Sequence, residues 1–355
     1  MELLADRRAD RARSTGDLTE ASARLAFLPG WIVVAVTILA FAFGPSVPLS
    51  YQLLPLAISA VVLGLPHGAV DHLAIPRTRD ESVTIRWLAF AGGLYLVVGG
   101  FYAAVWFVAP AVAVGIFILL SWIHWGQGDV YPLVALISGG HPAGRVERVL
   151  TAATRGALPM AVPFVAFPDQ YELVVGTLAG LFDPNAPAVL STAFTPTARI
   201  YVASVIAGLI VASLVIGFRS TTGRSRRGVA IDAAEIGLLV AFFSTVPPIL
   251  AIGIYFCVWH SLRHIVRLLM VDPRTVDALE SRRYVAAIST FARDAAPLTA
   301  ASLGLLGALY LIVPGTISEP LELVGTYLVL IAVLTLPHVV VVSWMDHEQR
   351  LWSAA

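Results

Sequence analysis

Long apolar runs separated by short polar loops set the plan of this chain. Ten segments stay apolar over about 20 residues, the length a helix needs to cross the hydrocarbon core of a bilayer. They cover roughly 31–49, 53–75, 87–108, 111–133, 150–168, 199–218, 232–247, 249–270, 295–314 and 322–344. The fifth contains Arg155 and Pro159, and the seventh is short and ends at Pro247-Pro248. Eight to ten spans is therefore the range the pattern supports. The expected fold is all-α: a polytopic transmembrane helical bundle of about ten spans. Residues 1–30 read as a polar, arginine-rich leader, 31–345 as a single transmembrane domain and 346–355 as a polar tail. The leader is long for a signal peptide, and no small-x-small cleavage pattern follows it, so the first run is expected to be retained.

Arginine placement tests the count, because loops on the cytoplasmic side are enriched in basic residues. With the N-terminus inside, the leader places Arg7, Arg8, Arg11, Arg13 and Arg24 there. Ten spans then put four arginine-bearing loops on the same side, including Arg77, Arg79 and Arg86, then Arg145 and Arg148, then Arg219, Arg224, Arg226 and Arg227, and finally Arg274, Arg282, Arg283 and Arg293. Arg350 follows the last span, so both termini are expected in the cytoplasm of a multi-pass cell-membrane protein. The outer segments 169–198 and 315–321 carry Asp169, Glu172, Asp183 and Glu319, and only Arg199, at a boundary, departs from the rule. A short surface helix within 169–198 and a flexible connector over 219–231 complete the plan.

Composition supports a membrane domain over two or three soluble ones: 58% of residues are hydrophobic and only 13% are charged. Soluble domains carry about 25% charged residues. The formal net charge is zero, so no nucleic-acid partner is expected. All 23 basic residues are arginine, a genomic bias with no functional content. A single cysteine, Cys257, excludes an intramolecular disulfide and a multi-cysteine metal site, and its apolar surroundings suit a small core residue.

The chemistry lies in the histidines. His141 sits in a Gly-Gly-His-Pro loop and His347 in the polar tail. The other six, His67, His72, His124, His260, His264 and His338, fall within or at the ends of predicted spans, where ionisable residues are costly and usually functional. His67, His124, His260, His264 and His338 all lie on spans of one direction, roughly 11 to 16 residues from the outer end, within about 8 Å of one another in depth. Five imidazoles at one level can converge if their helices pack together. His260 and His264, spaced i,i+4, point from one helix face and can bind one metal. All-imidazole ligation suits zinc, copper, iron or nickel.

Each histidine has a local context. Gly64-Leu65-Pro66-His67-Gly68 predicts a kink that aims His67 inward. Asp71, four residues on, is placed to orient an imidazole or to sit at the helix end beside Arg77. Trp122 and Trp125 flank His124 and suit either a cavity wall or an aromatic belt, while Gly126 and Gly128 allow a close neighbouring helix. Asp129 suits a helix-end charge, with an imidazole-orienting role as the alternative. Arg263 is expected to snorkel to lipid head groups.

Four pieces, Gly-Leu-Pro-His67-Gly-Ala-Val-Asp71, Ile-His124-Trp-Gly-Gln-Gly-Asp129, His260-Ser-Leu-Arg-His264 and Leu-Pro-His338, occur in an order that resembles the Brp/Blh family of membrane β-carotene dioxygenases. The resemblance implies an iron(II) centre ligated by His67, His124, His260 and His264, with no catalytic residue beyond those ligands. It implies O₂ as co-substrate and cleavage of the central 15,15′ double bond of β-carotene to two retinals, which supply a retinal-binding rhodopsin. His338 matches a position not usually assigned as a ligand and reads as an orienting, substrate-facing or structural residue, as do Asp71, Asp129 and Trp125.

Other classes remain open on the residues alone. A di-iron desaturase could use His67 with His72 and His260 with His264 as two boxes, although no His-x-x-His-His box is present. A transporter could use intramembrane histidines and Pro-broken helices, but no internal repeat is seen and mid-membrane acids are scarce. His260 and His264 cannot both ligate one haem iron, because axial ligands approach from opposite faces.

Overall fold

The computed structural model describes residues 2–44, 46–137, 141–220 and 225–353. Thirteen helical units account for nearly all of them, and among the described residues no strand occurs. Ten are long and apolar enough to cross a membrane. In chain order the units are α1 (Glu2–Phe43, spanning from Gly16), α2 (Leu49–Thr78), α3 (Ile85–Val108), α4 (Pro110–Leu136), α5 (Arg145–Ala166), α6 (Pro168–Gly180), α7 (Ala186–Ser191), α8 (Pro196–Ser220), α9 (Arg226–Thr245), α10 (Pro248–Val271), α11 (Pro273–Glu280), α12 (Tyr284–Ile312) and α13 (Pro320–Glu348).

All ten expected spans are present, and their limits shift for local reasons. The first begins inside the expected leader, because Ala21, Leu25, Ala26 and Phe27 are buried where it packs on α10 and α11, and it ends at Phe43 rather than near 49. Arg224 lies outside the described residues. Residues 226–231 of the expected connector are helical, since Val229, fully buried, begins the packed face of α9. Segment 169–198 holds two helices, of which α6 packs on α13, α4 and α5. Beyond α13, Leu351 is buried against Val130 and Tyr131, and Arg148 donates to the carbonyls of Leu351 and Ser353, both at 2.7 Å.

α10 is the axis of the bundle: 78% of its most apolar stretch is buried, against 11% for α12 at the periphery. Two stripes along α10 face different neighbours. Trp259 and Arg263 meet α1, α4 and α9, while His260 and His264 turn toward α2 and α13. Small residues permit the crossing of α4 and α5. A Cβ on Gly126 would lie 2.0 Å from the Ala152 carbonyl oxygen, and one on Gly156 would lie 1.9 Å from that of Trp122.

The first stripe closes an ionic network. Arg155 pairs with Asp129 (3.0 Å), Asp232 (2.7 Å) and Glu235 (2.7 Å), and Arg263 pairs with Asp129 (3.1 Å) and Glu235. Indole N–H groups of Trp259 and Trp31 donate to Asp129 and Glu235. Arg263 therefore does not snorkel, and Asp129 is not a helix-end charge. Both are buried, and they neutralise each other where lipid or an apolar core would leave either uncompensated. Arg155, the oddity in the fifth span, is the cation that three carboxylates share. Buried acids are also less scarce than expected, with Asp71, Asp129, Asp232 and Glu235 all inside the bundle.

Candidate metal centre

His67 is delivered by an interrupted helix. α2 is helical over Leu54–Ser59, unwinds, and resumes over Gly64–Gly68 and Asp71–Thr78. The break falls at Ala60–Leu63 and not at Pro66 itself. Pro66 lacks the N–H that would bond the Val62 carbonyl four residues back. That carbonyl accepts instead from the Gly64 N–H at 2.7 Å and from the Cys257 thiol at 3.7 Å. Leu63 turns through φ 61°, a left-handed conformation costly for a branched side chain and held here by the surrounding helices. The His67 Nδ1–H then donates to the Gly64 carbonyl, which leaves the Nε2 lone pair pointing away from its own backbone.

His124 comes from α4, and His260 and His264 from α10, where residues Tyr255–Ser261 form a wide π-helical stretch. Such stretches often mark functional sites. Gly128 leaves room for the His260 ring, since a Cβ there would lie 3.1 Å from it. His338 comes from α13, one residue after Pro337. All five are buried.

The rings converge as the depth argument expects. Ring centroids are 4.6 Å apart for His124 and His260, 5.4 Å for His67 and His260, and 5.6 Å for His67 and His264. One ligating atom each from His67, His124 and His260 falls within 4.8 Å of the others, and a second such group joins Asp71, His264 and His338. His264 thus stands closer to the His338 side than to the first three.

A cation fits this donor set. The Nε2 atoms of His124 and His260 face one another at 2.9 Å, and those of His67, His264 and His338 are buried with no hydrogen-bond partner among the described residues. Imidazole nitrogens about 2.1 Å from a shared ion sit roughly 3 Å apart when they occupy neighbouring positions. Unpaired lone pairs in a dry interior are expensive, and a Lewis acid removes the cost for all of them together.

Asp71 orients an imidazole, but that of His338 rather than of His67. The His338 Nδ1–H donates to its Oδ2 at 2.7 Å, and the Tyr95 hydroxyl donates to the same oxygen at 2.5 Å. It is no boundary residue, because it is buried and Arg77 pairs instead with Asp272 and Asp294. Asp129 has its oxygens taken by Arg155, Arg263 and Trp259, not by an imidazole. Trp125 packs its ring 5.9 Å from that of His260 and lines the adjoining cavity. Trp122 is tied to the Ala153 carbonyl, and His72 lies half-buried on the cavity wall outside the cluster.

A cavity of about 590 Å³ opens onto the imidazoles, lined by apolar side chains from eight helical units. One part runs between α4, α5, α6 and α10, past Phe117, Met160, Val174 and Ile252. Another runs between α3 and α12, past Leu88, Gly92, Leu298 and Leu305, which are themselves exposed on the lipid-facing side of the bundle.

Tyr95, Asp232 and Glu235 escaped the sequence reading. One of two tyrosines in the apolar third span, and two acids three residues apart at the start of the seventh, were the signals available.

The family model for β-carotene 15,15′-dioxygenase matches residues 58–346. A curated relative described as probable β-carotene 15,15′-dioxygenase Blh, from Halobacterium salinarum, is 43% identical over 92% of this chain and 94% of its own length. Another from the same organism, described as probable β-carotene 15,15′-dioxygenase Brp, is 30% identical over 96% of this chain and 95% of its own. A β-carotene 15,15′-dioxygenase from an uncultured marine bacterium is 35% identical over 19% of this chain and 25% of its own length. No solved structure matches.

Proposed function

The chain belongs to the β-carotene 15,15′-dioxygenase family, and on that premise we propose that it cleaves the central double bond of β-carotene with O₂ to give two retinals at an intramembrane iron(II) site. His67, His124, His260 and His264 hold the iron in this reading. The observation that carries it is the convergence of these four imidazoles at the wall of a large apolar cavity, with the Nε2 atoms of His67 and His264 lacking a hydrogen-bond partner among the described residues.

Iron(II), when bound, supplies the redox chemistry that lets ground-state O₂ react with an alkene. The chain's own residues do the rest. Neutral imidazoles add no charge, so the ion keeps its full positive charge in a low-dielectric site. The apolar walls bind a C40 polyene that water does not dissolve, and they exclude water from the reacting centre. Trp125, Phe117 and Phe256 bound the cavity beside the imidazoles and hold the chain of double bonds in reach of the centre. Exposed lining residues on α3 and α12 give the substrate a route from the bilayer that never crosses water. The product, retinal, is consumed by a retinal-binding rhodopsin in the same membrane.

Co-expression with β-carotene synthesis, followed by chromatography of the extracted pigments, tests the reading. Retinal should accumulate with the wild-type chain and disappear in the four histidine variants. Products of other chain length, or intact β-carotene with the wild type, would refute central cleavage. One iron per chain further separates this reading from a di-iron oxidase.

A further inference from the structure

We propose that His338 is itself a ligand of the metal centre, contributing its Nε2, with Asp71 and Tyr95 as the positioning residues that hold it there. The inference rests on the metal-centre reading above and extends it by one helix.

The tautomer comes first. Asp71 Oδ2 accepts from the His338 Nδ1–H at 2.7 Å and from the Tyr95 hydroxyl at 2.5 Å. With its proton on Nδ1, His338 carries the lone pair on Nε2. That atom is buried and has no partner among the described residues. A histidine kept only for helix–helix bonding would have both nitrogens satisfied, since a buried unpaired acceptor costs free energy. Asp71 and Tyr95 come from two different helices, and among the described residues His338 is the imidazole that hydrogen-bonds to this carboxylate, so the ring is fixed from behind.

Position comes second. The His338 ring lies 4.7 Å from that of His124, 5.0 Å from His67 and 5.2 Å from His264. The four expected ligands stand 4.6 to 6.4 Å from one another where their rings meet. His338 is therefore among them, not behind one of them. It also joins the two halves of the cluster: His264 groups with Asp71 and His338, while His67, His124 and His260 form the other group. Without His338, His264 is the outlying member. A carboxylate accepting from the far N–H of an imidazole is the arrangement that fixes metal-bound histidines elsewhere.

The test is metal binding by the full-length, detergent-purified chain stripped of metal and titrated with Co(II), read by its d–d absorption bands and by competition with a chelator. Wild type should bind one Co(II). His338→Gln should change the band energies and lower affinity by more than about 10-fold, and Tyr95→Phe should lower affinity about 10-fold, the lower end of the effect of disturbing a ligand's support. Wild-type bands and affinity in His338→Gln, alongside their loss in His260→Ala, would overturn the proposal and leave the four-histidine centre standing. Two Co(II) per wild-type chain, with one lost in His338→Gln, would also overturn it. No difference between wild type and His260→Ala would remove the centre and this proposal together. Should His338→Gln fail to fold, Tyr95→Phe decides, and unchanged affinity there counts against the proposal.

Discussion

His124 and His260 meet nitrogen to nitrogen, Nε2 to Nε2 at 2.9 Å, while the Nδ1 of each is buried without a partner among the described residues. Two imidazole nitrogens each about 2.1 Å from one ion sit roughly 3 Å apart, so this spacing is the one a shared cation would set. Two lone pairs aimed at one cation avoid a direct bond between the rings. His260→Ala is therefore expected to lose both iron and retinal production. Elemental analysis of the purified variant checks this, and full iron occupancy would strike His260 from the ligand set.

Gly128→Ala makes a finer probe of the same pair. The added methyl would sit 3.1 Å from the His260 ring, so the ring or α4 must shift by a few tenths of an ångström. Metal affinity should fall about 10-fold with the helical fold intact, the lower end of the effect of disturbing a ligand's support. Chelator competition measures it, and wild-type affinity would show that the ring is free to move aside.

The cavity between α3 and α12 predicts a variant that spares the metal. Ala301 lines it from α12 and faces outward, so Ala301→Trp should obstruct the route from the bilayer. Turnover of β-carotene should drop by about 10-fold or more, equivalent to 1.4 kcal/mol or more, with iron content unchanged. Equal turnover would mean that substrate arrives by another path.

The ionic network makes a prediction about stability and not chemistry. Arg155→Leu leaves Asp232 and Glu235 short of a partner in a buried setting, at an expected cost of about 3–5 kcal/mol. Thermal unfolding in detergent should show a large loss, while retinal formed per bound iron stays near wild type in the fraction that folds. A large fall in that ratio would tie the network to the reaction.

His141 gives a pH dependence with a definite sign. Burial opposes its protonation, but hydrogen bonds to Asp232 (2.9 Å) and Glu147 (2.7 Å) outweigh that and hold it up to about 9, against 6.5 ordinarily. A group raised on folding stabilises fully below its unfolded value and loses that contribution as pH rises through the folded one. Thermal stability should thus decline from about pH 7 toward pH 9 and beyond. In His141→Gln that decline should be absent, and an identical slope in both proteins would exclude His141 as its source.

Apolar run length and arginine placement were enough to count ten spans, because a bilayer imposes one length and one hydrophobicity on every crossing helix, whatever it packs against. Depth was legible for the same reason: a fixed rise per residue converts position along a span into height, so five histidines could be set at one level from sequence alone. Rotation and neighbour were not legible. Whether Arg263 meets lipid or Asp129, and whether Asp71 serves His67 or His338, depends on which helix face turns inward and which helix lies opposite. Those are relations between residues as far as 267 positions apart, set by close crossings such as Gly126 against Ala152 and by an unwound turn at Leu63 that no local pattern announced. The sequence by itself determined which segments are long and apolar enough to cross a bilayer and set five histidines at one level along them. Only the tertiary structure decided which groups touch, because a buried charge or lone pair is resolved by whatever partner the packing of helices brings within about 3 Å.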